Sequence, residues 1–305
     1  MQEPVVSICC LVYNHEPFLR ECFEGFVMQK TTFPIEILVH DDASTDHSAD
    51  IIREYTAKYP DLFKPIYQTE NQYSKGVKVS ATFQFPRAKG KYIALCEGDD
   101  YWTDPYKLQK QVDFLESHPE YVMCSHRYKI YKHDLAKFDG EYPMLPIVKQ
   151  TYDLHTYISG EKWVTQLLSV VFRTNAINIA KYSQYDNAKD AALFYHILTK
   201  GKGYLFKDIM GIYRHNIGGV WSSIGRTRQI VSEVKARLGI CKVEQSKTSA
   251  QYLYNYYVSI GYLGVTFFLK QTRIYVKSLS IIRCYLGFRK MLNIFGASLN
   301  FVRWQ

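Results

Sequence analysis

Three acids and one glycine close a short apolar run in Tyr92-Ile93-Ala94-Leu95-Cys96-Glu97-Gly98-Asp99-Asp100-Tyr101-Trp102. Carboxylates crowded at a strand end repel one another, which costs stability unless a cation or a functional geometry offsets it. Hard divalent cations such as Mg2+ and Mn2+ take carboxylate oxygens and share them with substrate phosphates. The same residues also fit a plain turn leading to a helix start at Asp104-Pro105. A second acid cluster, Asp41-Asp42-Ala43-Ser44-Thr45-Asp46, follows another apolar run; helix capping suits Ser44 and Asp46 better than Asp42. Tyr13 ends the first apolar run, where its ring suits either packing or a planar ligand. Asp190, in Ala188-Lys189-Asp190-Ala191-Ala192, opens a helical stretch, where a carboxylate is also an ordinary first-turn residue favoured by the helix dipole. His215 lies in Tyr213-Arg214-His215-Asn216-Ile217-Gly218-Gly219. A histidine there suits metal or phosphate, or is simply exposed, and the paired glycines permit a mobile lid. Trp102 and Trp163 suit a sugar platform or the core.

The elements that must hold these residues alternate. Strands are expected over 5–13, 35–40, 63–68, 92–96, 121–131, 163–172 and 204–213. Helices are expected over 16–30, from Ser44 or Asp46 to Lys58, over 78–88, over 104–118 and over 188–200. That alternation predicts an α/β fold with a parallel, doubly wound sheet and ligands at the carboxyl ends of its strands. Both acid clusters fall at such ends. Residues 134–162 read as a loop-rich excursion.

A chain of 305 residues with 47% hydrophobic and 22% charged residues is ordinary for a globular protein. Seven cysteines form no Cys-x-x-Cys pair and are odd in number, which predicts reduced thiols in a reducing compartment. No basic start leads into an apolar segment at the N-terminus, so a cytoplasmic location is expected. The net charge of +9 is uneven. Residues 226–305 hold 13 Lys/Arg against Glu233 and Glu244, and the first 225 residues hold 25 against 27 acids. Within the tail, Lys270, Arg273 and Lys277 share a helical face roughly opposite Ile274, Ile281 and Ile282. That pattern suits an anionic membrane interface, or packing of the apolar face on the rest of the chain. The apolar part, residues 256–269, is short of the roughly 20 residues a span needs. No nucleic-acid recognition motif accompanies the basic residues.

Four blocks, residues 7–14 with Tyr13-Asn14, Asp41 to Asp46, residues 90–107, and residues 189–195 with Asp190, occur in order. In the third block the acids are followed by Tyr-Trp-x-Asp-Pro-x-Lys-Leu. Through them the chain resembles the family 2 glycosyltransferases of GT-A fold, in the bacterial branch that builds surface polysaccharides. The resemblance covers roughly residues 5–222. It implies a mostly parallel sheet flanked by helices, a catalytic domain over 1–225, and a basic helical tail over 226–305. It further implies inverting, metal-dependent transfer from a nucleotide-diphosphate sugar, a UDP-sugar by this reading. The acceptor is a growing surface glycan or lipid-linked oligosaccharide at the inner face of the cytoplasmic membrane. By the resemblance Tyr13, Asp42 and Asp99 bind the nucleotide, with Asp42 accepting the base N–H, and Asp100 ligates Mg2+ or Mn2+. Asp190 is the general base, and His215 touches the diphosphate or the metal, one residue earlier than the family spacing. Glu97 stands where the family more often has Asp, and its role stays open. Two alternatives remain: a processive synthase, for which Asn300-Phe301-Val302-Arg303-Trp304 is only an approximate echo of Gln-x-x-Arg-Trp, and a non-catalytic, membrane-docked nucleotide-sugar binding module.

Overall fold

The computed structural model describes residues 2–144, 149–160, 165–187, 189–216, 219, 223–260 and 271–294. Trp163, Gly218 and residues 300–304 lie outside them. The chain forms two compact units, one of Met1–Asp153, Trp163–Ile179 and His196–Ile217, the other of Leu154–Lys162, Ala180–Tyr195 and Gly218–Gln305. The second unit therefore takes two segments from within the first 225 residues, where the sequence suggested a single cut.

The first unit is built on a mixed sheet. Its strands are β1 (Val6–Val12), β2 (Ile35–Asp41), β3 (Ile66–Tyr67), β4 (Tyr92–Leu95), β5 (Tyr101–Trp102), β6 (Tyr121–Lys132), β7 (Lys137–Tyr142), β8 (Thr151–Tyr152), β9 (Val171–Arg173) and β10 (Lys202–His215). They run in the order β3-β2-β1-β4-β9-β6-β10-β5, with β7 on β6 and β8 on β10. The part from β3 to β4 is parallel, as expected. β9 runs antiparallel to both β4 and β6, so the complete sheet mixes both directions. β1 is buried along nearly its whole length, because helices cover both faces of a central parallel strand and every side chain meets protein. Helix α1 (Glu16–Val27) starts at Pro17 and buries Phe18, Leu19, Cys22, Phe23 and Phe26. Helices α2 (Ser48–Lys58) and α3 (Lys107–Ser117) follow β2 and β5.

Three sequence expectations shrink, each for a local reason. The strand expected at 63–68 is reduced to Ile66–Tyr67 plus a bridge at Phe63, because Pro65 has no N–H for the ladder. The helix expected at 78–88 becomes a π turn, Ser80–Gln84, and a 3-10 turn, Phe85–Arg87, consistent with the missing donor and the ring of Pro86. Among the described residues of the strand expected at 163–172, a 3-10 turn forms at Leu167–Ser169 and the strand is Val171–Arg173. The excursion at 134–162 holds β7 and β8.

The second unit is helical: α4 (Leu154–Ile158), α5 (Ile179–Tyr182), the start of α6 (Asp190–Leu198), α7 (Arg226–Glu244), α8 (Lys247–Ile260) and α9 (Thr272–Leu286). Gln245, in the left-handed conformation, separates α7 from α8. The tail helices share a core of Ile230, Val234, Leu238, Leu253, Tyr257, Tyr275 and Ile282. Asn255 Nδ2 donates to the Ile158 carbonyl at 2.7 Å, and Glu244 accepts from Lys181 and Tyr185. Part of the apolar surface of the described tail helices is thus buried within this unit, while Val258, Val276, Phe288 and Leu292 stay exposed.

Candidate active site

The carboxyl ends of β2, β1 and β4 lie side by side. Val12 stands opposite Asp41 in the register, and Cys9 opposite Leu95. Beyond β4 the pairing continues as Gly98 N–H donates to the Leu11 carbonyl at 2.9 Å. A Cβ on Gly98 would fall 2.7 Å from His15 Nδ1 and 3.0 Å from Leu19 Cδ1. Glycine is therefore required where the acid turn crosses the start of α1, and the acids follow at once.

Asp100 is the buried member of the turn, only 1% exposed. Its Oδ1 accepts the Arg214 main-chain N–H at 2.8 Å. Its Oδ2 is buried without a hydrogen-bond partner. Burial first, and then the charge of Asp99, push its carboxyl well above the usual range, while the Arg214 N–H opposes them. An ionised carboxylate with one empty buried oxygen is costly. Asp99 is partly open. Its Oδ2 lies 3.5 Å from Asn216 Nδ2 and 4.0 Å from His15 Nε2, and its carbonyl accepts from Arg214 Nη1 at 2.9 Å. Burial holds the His15 imidazole below its ordinary pKa against the pull of Asp99 and Asp46, which favours the neutral ring. The Glu97 carbonyl receives the Asp100 N–H at 3.1 Å and the Cys22 thiol at 3.5 Å.

The loops after β1 and β2 brace one another. Asn14 and Ala43 sit at φ 56° and 62°, a region uncommon for residues with a Cβ. Asn14 N–H donates to Ser44 Oγ, Thr45 N–H to Asn14 Oδ1, and His15 N–H to Ser48 Oγ, at 2.7–3.0 Å. Asp46 accepts from the N–H groups of Glu16 and Ser48 at 3.0 and 2.9 Å and so ties the starts of α1 and α2 together, while the N-cap of α2 is His47, which makes no side-chain cap bond. Asp42 is buried, and its two oxygens accept from the N–H groups of Gln72 and Tyr73 at 2.8 and 2.9 Å. It anchors the following loop; His40 Nε2 lies 3.5 Å from Oδ1, and Oδ2 keeps a second lone pair beyond its bond to Tyr73. Tyr13, just past the end of β1, is 38% exposed.

Of the two places open to Trp102, a sugar platform or the core, it takes the core. It is 1% exposed, stands edge-on to Phe26, donates Nε1–H to the Leu168 carbonyl at 2.8 Å, and lies under Lys107 Nζ at 4.1 Å. It is a core side chain and offers no face to a sugar, because β5 points it inward beneath α1. Buried Lys107, hydrogen-bonded to Gln111, is pushed down to about 7 by desolvation. His215 is exposed at the end of β10, in register with Lys132. Asn216 is the side chain next to it that reaches Asp99. Arg214 and Asn216 are the residues that sequence reasoning passed over. The signal available was an arginine inside an otherwise apolar strand end.

In the second unit Asp190 begins α6. It is open to solvent at its surface yet densely surrounded. Desolvation, and then the charge of Glu233 on α7, raise its carboxyl to about 6, with Lys189 opposing them. Among the described residues no group of three or more His, Cys, Asp or Glu side chains forms a closed metal cage. Asp99 and Asp100 set two carboxylates side by side, and one buried oxygen of Asp100 accepts no hydrogen bond; carboxylate oxygens are the donors that hard divalent cations take.

The family model described as "Glycosyl transferase family 2" matches residues 7–183, which contain both acid clusters. The chain belongs to glycosyltransferase family 2. An uncharacterized protein of Mycobacterium tuberculosis is 38% identical to this glycosyltransferase over 227 residues, 72% of this chain and 61% of the relative. The chain thus spans about three fifths of that relative's length. The Escherichia coli UDP-Glc:alpha-D-GlcNAc-diphosphoundecaprenol beta-1,3-glucosyltransferase WfaP is 29% identical over 199 residues, 65% of this chain and 71% of the relative. Among solved structures, S. aureus TarS in complex with UDP-GlcNAc superposes with a TM-score of 0.67 at 15% identity, covering 97% of this chain and 88% of that one. The fold of this glycosyltransferase is GT-A.

Proposed function

We propose that this glycosyltransferase transfers a sugar from a UDP-sugar, with inversion, to a growing surface glycan or lipid-linked oligosaccharide. The observation that carries the reading is Asp100: a buried carboxylate with one oxygen fixed by Arg214 and the other unpartnered, at the carboxyl ends of parallel strands. Asp100, with Asp99 beside it, would hold Mg2+ or Mn2+. When bound, such a cation neutralises the donor diphosphate and stabilises it as a leaving group. Tyr13 and Asp42 take the base, through an exposed ring and a carboxylate lone pair. Asp99 is the carboxylate nearest the ribose. Asp190 removes the proton of the acceptor hydroxyl as its oxygen bonds to the anomeric carbon and the bond to the diphosphate breaks. A carboxyl raised to about 6 and open to solvent suits that task at neutral pH. A single displacement of this kind inverts the anomeric centre.

The WfaP relative, named for a UDP-sugar donor and a diphosphoundecaprenol-linked acceptor, supports the donor and acceptor classes. We place the working enzyme at a membrane surface. On α9 and the residues just after it, Arg273, Val276, Lys277, Arg283 and Phe288 are exposed, with no acid after Glu244. Each basic residue near an anionic leaflet contributes about 1 kcal/mol. Asp190→Asn is expected to abolish sugar transfer while UDP-sugar binding by calorimetry survives. A wild-type protein that binds the donor but neither transfers nor hydrolyses it would establish the binding-module alternative.

A further inference from the structure

We infer that Arg214, with Asn216 two residues on, is a positioning residue that sets the Asp99–Asp100 turn for a cation–diphosphate pair. The inference rests on the metal reading of Asp100 above. Arg214 ties the turn in three ways. Its main-chain N–H fixes Asp100 Oδ1 at 2.8 Å, leaving Oδ2 as the open acceptor. Its guanidinium takes the Asp99 carbonyl at 2.9 Å and pairs with Glu21 of α1. The same guanidinium lies over the rings of Tyr101, at 4.3 Å, and Phe18, at 5.3 Å. The side chain is only 4% exposed. A guanidinium suits this place because its planar fork can stack and donate at once, which an ammonium cannot. Asn216 then steadies the Asp99 carboxylate at 3.5 Å.

The end of β10 holds the turn through Arg214, and α1 holds it through the Cys22 thiol on the Glu97 carbonyl. Within the turn, the Asp100 N–H donates to the Glu97 carbonyl at 3.1 Å. Without the guanidinium, Asp99 loses its carbonyl anchor and its carboxylate is no longer held beside that of Asp100, which the Arg214 main-chain N–H still fixes. Outer partners of metal ligands typically contribute 10–100-fold in metal affinity, by orienting the ligands without touching the ion.

The test is titration of UDP into the full chain by calorimetry, with and without Mn2+, alongside thermal melting. Arg214→Met is expected to weaken Mn2+-dependent UDP binding by roughly 10–100-fold, with metal-free UDP affinity within about twofold of wild type. Arg214→Lys recovers part of the loss, since it restores a charge but not the fork. A folded Arg214→Met protein with unchanged Mn2+-dependent affinity overturns the inference. So does an equal loss with and without Mn2+, which marks general loosening instead. If Arg214→Met does not fold, Asn216→Ala and Arg214→Lys decide, and unchanged Mn2+ dependence in both overturns it. A wild-type protein whose UDP affinity ignores Mn2+ refutes the metal reading itself and removes this inference with it.

Discussion

The raised carboxyl of Asp190 makes the acid limb of the pH–rate profile a direct test of its role. Only the ionised form accepts a proton, so activity must fall as pH drops through the folded-state value of about 6. At pH 7 roughly nine in ten molecules carry the ionised base, and at pH 5 roughly one in eleven. kcat/KM for the UDP-sugar should therefore drop roughly tenfold between those pH values. An unperturbed carboxylate near 3.8 would leave it almost flat. The perturbation is Glu233→Gln. Glu233 is the charge that raises Asp190, Lys189 works against it, and the buried phenol of Tyr182 is its neutral neighbour. Removing that charge must move the acid limb to lower pH, while the amide keeps an oxygen for Arg237, now 2.5 Å from Glu233 Oε2. The stability consequence has the sign opposite to that of a salt-bridged carboxylate. A group whose folded value is raised stabilises the fold below its unfolded value and loses that contribution as pH rises through about 6. Initial rates of UDP release over pH 4.5–8, for wild type and Glu233→Gln, are the measurement. A wild-type limb near pH 4, or a limb that Glu233→Gln leaves in place, refutes the reasoning.

Two further outcomes follow from the buried and exposed aromatic and basic groups. Trp102→Ala should lower unfolding stability in urea by about 3–5 kcal/mol, as for other large aromatics truncated in a core; unchanged stability with lost donor affinity would restore a sugar-facing role. Replacing Arg273, Lys277 and Arg283 together with glutamate should abolish low-salt sedimentation with vesicles rich in anionic lipid, and wild-type failure to sediment would refute the membrane contact.

The parallel half of the sheet was legible because its strands are buried on both faces, so their apolar runs are continuous and end sharply in acids. The acid turn was legible for the same reason. The reversed direction of β9 was not, since three residues of strand carry no directional signal. Trp102 was ambiguous because its orientation depends on β5, a two-residue strand whose partner in β10 is remote in sequence. Arg214 lay hidden behind distance: its bond to Asp100 spans 114 residues. The tail's basic face was readable from composition. Its partnership with residues 154–162 and 180–195 depends on tertiary contacts that no local pattern records.

That partnership bears on modularity. Because Glu244 meets Lys181 and Tyr185, Lys242 meets Asp186, and Asn255 meets the Ile158 carbonyl, the tail is not a separable cassette. A graft exchanged with a relative at residue 225 would arrive without the internal segments it was shaped against, and would leave those segments uncovered in the recipient. Recombination that preserves such a protein must carry all three stretches together. Divergence in the tail should then be matched by compensating change at 154–162 and 180–195, far away along the chain.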